Sequence, residues 1–120
     1  MAVRSYRDLI AWQKAMDLVV DVYDATQDFP RSEQFGLTSQ MRRSAVSVPC
    51  NIAEGQARDS TKEFAHFLSV SYGSLAELET QLLISERLGF LDHEQTHHRL
   101  DECAEVGRII NGLRRALPTP

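Results

Sequence analysis

Four stretches of this chain repeat apolar residues at the three-to-four spacing of an α-helix, and none alternates long enough to read as a strand. Between Leu37 and Ile52 the apolar positions are Leu37, Met41, Ala45, Val48 and Ile52, at steps of four, four, three and four. A second line, Gln40, Ser44, Ser47, Asn51, Glu54 and Arg58, runs roughly a quarter-turn away at about 100° per residue. A solvated helix face is normally rich in Lys and Glu. This one is small and hydrogen-bonding, which predicts that something packs close to it. Pro49 falls inside the stretch, where it removes one backbone donor and kinks the helix.

Capping residues and breakers set the boundaries. Ser5 with Asp8 is a variant of the capping pair, and the first helix then runs to about Thr26. It carries two apolar lines. Leu9, Trp12, Met16, Val19, Val20 and Tyr23 read as the inner face. Ala11, Ala15, Leu18, Val22 and Ala25 read as a second seam, wider than one core contact needs, and so as the contact with a partner chain. Asp28 to Ser32 and Phe35-Gly36 break the pattern before the second helix, which Asp59 ends, with Gly55 the weak point of its last turn. Ser60-Thr61-Lys62-Glu63 is a capping box that opens the third and longest helix. Its core line is Phe64, Phe67, Leu68, Ser71, Leu75, Leu78 and Leu82, with Glu79 and Glu86 on the same side. Its back carries Val70, Gly73 and Ile84, more apolar or small than a free surface needs. Gly89 supplies its C-terminal cap. Asp92 with Gln95 opens the fourth helix, whose stripe is Leu100, Cys103, Val106, Gly107, Ile110 and Leu113. Gly107 there predicts a close helix crossing.

Short connections between long helices make neighbours antiparallel. The expected fold is therefore an all-α, up-down-up-down four-helix bundle in one domain, with helices near residues 8–26, 37–57, 61–88 and 93–116.

The formal net charge is −4, with no basic tail or block to suggest non-specific nucleic-acid binding. Cys50 and Cys103 lie in helical patterns without CxxC spacing, so both are expected reduced. No apolar run approaches a signal peptide or a membrane span, and a soluble, cytoplasmic protein is the expectation.

The candidate chemistry is sparse. His93 and His97 stand four apart, the spacing at which two imidazoles share a metal. Asp101 continues the line, but ligands strung along one helix do not close on one ion, so the pair reads as a solvated helix end. Glu63 to His66 and Glu94 to His97 repeat the Glu-x-x-His of di-iron bundles. Both lie at helix starts, which antiparallel packing puts at opposite ends. Ser69, His66 and Glu63 can be drawn as a triad along one face, with nothing to build an oxyanion hole. No phosphate-binding Gly loop or G-x-S-x-G is present. No metal, cofactor or enzymatic activity is expected. The remaining unusual residues are Arg42, Arg43, Asn51, Glu54, Arg58 and Glu79. Glu79 is expected to pair with Arg42 or Arg43 as a buried structural ion pair, and Asn51, Glu54 and Glu79 to form a polar network.

The run FGLTSQMRRSAVSVPCNIAEG, followed by STKEFAHFL and SLAELETQLLISERLGFL, resembles the four-helix-bundle family of 23S rRNA intervening-sequence proteins. The opening LIAWQKAMDLVVDVY is similar too, so the likeness extends to about Leu91, and the fourth helix is generic. The resemblance implies a left-handed bundle assembling into a homopentameric ring, with no enzymatic activity attached. The family takes its name from reading frames within intervening sequences of bacterial 23S rRNA genes. A related bundle, a basic pentamer, serves the reverse transcriptase of diversity-generating retroelements as an accessory that binds protein and nucleic acid. The family pattern falls here on Trp12, Arg42, Arg43, Asn51, Glu54, Gly55, Arg58, Glu77 and Glu79. Two departures are Cys50, where Ser is usual, and the acidic net charge. Two roles follow: a protein-binding oligomeric scaffold, which is favoured, and a nucleic-acid adaptor using Arg42, Arg43, Arg58 and Lys62.

Overall fold

A computed structural model describes residues 5–118. Four α-helices carry the fold: α1 (Ile10–Thr26), α2 (Leu37–Ala57), α3 (Thr61–Arg87) and α4 (His93–Ala116). No strand occurs among the described residues. Ser5 caps a 3₁₀ turn, Tyr6–Asp8, rather than a longer helix: its hydroxyl accepts from the Arg7 amide, and Leu9 is extended, so α1 begins only at Ile10. Helix α1 packs on α2 and α4, and α3 packs on the same two, which closes a four-helix bundle.

The stripe of α2 is the centre of the core: Met41, Ala45, Val48 and Ile52 have no exposure, and Pro49 lies inside the helix and is buried. Opposite it stand Leu68, Leu75, Leu78 and Leu82 of α3, and Cys103, Val106 and Ile110 of α4. The small second line of α2 does pack closely. Ser71 of α3 donates to the Val48 carbonyl at 2.9 Å, and the Ser47 and Ser74 hydroxyls meet at 2.8 Å. Gly55 is a contact point: a Cβ there would stand 2.7 Å from Phe67 Cβ. Gly107 likewise receives the edge of Tyr72.

Helix α1 is rotated from its expected setting. Ala11, Ala15, Leu18 and Val22 are buried in the chain's own core, with Ala25 half-buried against it. They are not an outward seam. Trp12 and Val19 are half-buried, and Met16, Val20 and Tyr23 are exposed. The physical reason is the width of the contact: Ala11 and Ala15 let α1 approach its neighbours, whereas Trp12 and Met16 facing inward would hold it away.

Candidate functional site

Arg42 is held rather than free. Its Nε donates to Thr26 Oγ1 at 2.9 Å, one Nη donates to the Tyr23 carbonyl at 3.4 Å, and the guanidinium lies 4.4 Å from the Tyr23 ring centroid. Thr26 is itself fixed by donating to the Val22 carbonyl at 2.8 Å. Arg43, one residue on, is exposed. The two arginines line a groove of about 570 Å³ with Tyr23, Gln34, Ser39 and Ser47. Among the described residues neither has a carboxylate in ion-pair range.

Glu79 therefore does not pair with Arg42 or Arg43. It is half-buried and lines a groove with Tyr72, Cys103 and Arg108, facing α4 instead of α2. The expected polar network is three separate arrangements. Asn51 donates to the carbonyl and the hydroxyl of Ser47, each at 2.8 Å, while Glu54 turns to Arg58 and Glu79 stands apart. Arg58 lies 2.9 Å from Glu54 and 3.5 Å from Glu63, with its guanidinium over Phe67. The Glu54 hydrogen bond, then the charges of Glu63 and Glu54, raise its pKa further. Arg58 and the exposed Lys62 lie beyond the far end of α2, roughly 24 Å along the helix from Arg42 at 1.5 Å per residue. The four basic residues thus form two groups, and Arg58 is already neutralised.

The rotation of α1 creates a surface that the sequence did not point to. Tyr6, Trp12, Met16 and Val19 meet Val46, Pro49, Cys50 and Ala53 of α2 around an almost wholly apolar groove of about 370 Å³. The back of α3 is a second apolar surface, with Val70, Leu83 and Ile84 exposed and open space beside Gly73.

A third arrangement joins α1 to α4. Arg99 donates to Asp21 at 3.2 Å and to the Gln95 carbonyl at 2.9 Å. Glu102 faces the same carboxylate, and its own pKa is pushed up to about 8, chiefly by burial, then by a hydrogen bond to Asp21 and that group's charge. Glu102 so keeps its proton near neutrality, and His98 Nε2 stands 3.6 Å from it. The readable signal was a carboxylate set beside an apolar line: Asp21 precedes Val22, and Glu102 precedes Cys103. The Cys103 thiol is pushed up to about 12 by burial first and by the neighbouring carboxylates second.

Among the described residues no Ser, Thr or Cys side chain is hydrogen-bonded to a His or a carboxylate side chain, and the most prominent features are apolar surfaces and an arginine groove on a helical bundle. That class has a family. The sequence pattern of the 23S rRNA-intervening sequence protein family matches residues 7–112, and the chain belongs to this family. No curated protein matches it. A solved structure from Bacteroides thetaiotaomicron VPI-5482, a protein with unknown function from the S23 ribosomal protein family, shares the fold. Its TM-score is 0.79 at 19% sequence identity, covering 89% of this chain and 100% of that one.

Proposed function

We propose that this chain is a non-enzymatic, self-associating bundle that acts as a protein-binding scaffold. The observation that carries this is the apolar groove of α1 and α2, where half-buried Trp12 lies beside the exposed Met16, Val46 and Cys50. An apolar patch of this kind rimmed by polar residues marks an interaction surface. The back of α3 offers a second, different patch. Two unlike surfaces meeting head to tail generate a closed ring if the rotation closes, and a pentamer is the ring the family resemblance favours. Short connections at residues 58–60 and 88–92 support the antiparallel, up-down-up-down order within each protomer.

Val46→Glu places a charge in the groove without touching the core. It should shift the protein from oligomer to monomer in analytical ultracentrifugation, with an unchanged helical circular dichroism spectrum. A wild-type protein that is monomeric at tens of micromolar overturns the reading. Leu18→Glu is no substitute, because Leu18 is a core residue and the charge would unfold the chain.

The nucleic-acid adaptor is the second reading, favoured by one feature: Arg42 and Arg43 adjoin a groove and lack carboxylate partners among the described residues. Ring symmetry would repeat that pair, and binding through it must weaken steeply with salt as counterions are released. Loss of low-salt RNA or duplex-DNA binding in Arg42→Ala/Arg43→Ala supports this reading, and no binding at low salt removes it.

A further inference from the structure

The turn from α3 to α4 brings together three side chains that ligate metals, from two helices. Glu86 lies in the last turn of α3, and His93 and His97 lie one turn apart at the start of α4. The backbone between them is closed by its own hydrogen bonds. Gly89, at φ 80°, donates to the Glu86 carbonyl at 3.0 Å, and Phe90 donates to the Ser85 carbonyl at 2.9 Å, a Schellman ending. Three residues later the Asp92 carboxylate accepts from the Gln95 amide at 2.7 Å. The Gln95 side chain accepts from the Asp92 amide at 3.0 Å in return. Buried Thr96 donates to the Asp92 carbonyl at 2.8 Å. Both helix ends are therefore fixed where the three side chains depart.

His93 Nδ1 stands 3.0 Å from Glu86 Oε2, and the His93 and His97 ring centroids are 4.0 Å apart. One ligand atom from each of Glu86, His93 and His97 lies within 4.8 Å of the other two. No Lys or Arg among the described residues is in ion-pair range of Glu86. We propose that Glu86, His93 and His97 form a binding site for a divalent transition ion of the zinc class, which ties the end of α3 to the start of α4.

The ligand chemistry decides the kind of ion. Two imidazoles and one carboxylate suit zinc, nickel or copper, whereas magnesium and calcium require oxygen ligands. Metal–ligand bonds of about 2.0–2.2 Å in a tetrahedron put the ligand atoms roughly 3.4 Å apart. The present separations bracket that value: His93 Nδ1 and Glu86 Oε2 are 3.0 Å apart, and all three ligand atoms lie within 4.8 Å of one another. The ion takes the position between Nδ1 and Oε2, with the His93 proton carried on Nε2. Three protein ligands leave a fourth position for water. The positive end of α4 opposes a cation here, and the carboxylates of Glu86, Asp92 and Glu94 offset it. The Asp21, His98 and Glu102 cluster is the poorer site, because the Arg99 guanidinium already sits 3.2 Å from Asp21.

Calorimetric titration of ZnCl₂ into the chain, free of any added histidine tag, tests the site. One ion per chain is expected, with a rise in melting temperature that MgCl₂ does not produce. His97→Ala and Glu86→Gln should each weaken binding by at least the roughly 10- to 100-fold that losing an outer partner of a metal ligand costs. The His93 side chain is 80% exposed and His97 is exposed, so the helical spectrum of His97→Ala should match the wild type and separate lost binding from lost folding. Absence of heat and of a melting shift at millimolar zinc overturns the proposal. So does binding that either variant retains in full, which would move the ion elsewhere or remove Glu86 from its ligands.

Discussion

Asp21 and Glu102 show how a single proton can become part of a helix contact. Two carboxylates face each other beside Arg99, with His98 on one side and Asp17 adding a further negative charge, and among the described residues Arg99 is the one permanent cation in ion-pair range. Glu102 therefore keeps its proton to about 8 in the folded chain, against an ordinary value of 4.5. A raised folded pKa means that the native state binds the extra proton between those two values. The resulting stabilisation is complete below the lower value and is lost as pH rises through the upper one. Stability should fall from about pH 4.5 to about pH 8, by on the order of 1 kcal/mol once solvent screening of this partly exposed group is allowed for, and the melting temperature should fall with it. Glu102→Gln, which cannot ionise, should flatten that decline in thermal unfolding followed by circular dichroism. An equally steep decline in the variant would place the titrating group elsewhere. The pairing itself could not be read in advance, because Arg99 and Asp21 stand 78 positions apart. Their meeting depends on the rotation and height of two helices.

Among the helices, the crossing of α2 and α3 is the tightest constraint on the fold. At Gly55 an added Cβ would meet Phe67 Cβ at 2.7 Å and the Phe64 ring at 3.1 Å, neither of them the loose end of a flexible chain. Overpacking of this kind costs roughly 1–3 kcal/mol, of which better helix propensity returns up to about 1. Gly55→Ala should therefore lower stability in urea unfolding by roughly 1–2 kcal/mol. Gly73, with nothing within 4 Å of its missing Cβ, is the internal comparison: Gly73→Ala should raise stability by about 0.5–1 kcal/mol. Helix spans and the α2 stripe were readable because one apolar line stands out from polar neighbours, as Met41, Ala45, Val48 and Ile52 do. Helix α1 has two apolar lines about 100° apart, and periodicity alone does not say which one turns inward. Size decided it: the line bearing Ala11 and Ala15 packs fully, and of the other line Leu9 is buried, Trp12 and Val19 rest half-buried against the core, and Met16, Val20 and Tyr23 are exposed. Glu79 was misplaced for a related reason. Its position on the α3 wheel was right for a half-buried carboxylate, but the wheel does not say whether α2 or α4 lies opposite.

The molecule measures 46 × 24 × 21 Å, a rod whose long sides differ in character. One side carries the α1–α2 apolar groove, another the apolar back of α3, and the arginine groove lies beside the first, sharing Val46 with it. No helix among the described residues is long and apolar enough to cross a membrane. The two thiols are divided by this geometry in a useful way. Cys50 is exposed in the apolar groove, whereas Cys103 is sealed in the core with a pKa pushed up to about 12. The native chain therefore carries its own reporter of assembly. A disulfide reagent that forms a coloured leaving group should consume one thiol per chain under native conditions, and the second only after denaturation, since the thiolate is the attacking species. If the groove closes on a second copy, the rate of Cys50 modification should fall as protein concentration rises through the association range. A rate independent of concentration across that range would leave the groove open in the oligomer and move the contact to another side of the rod.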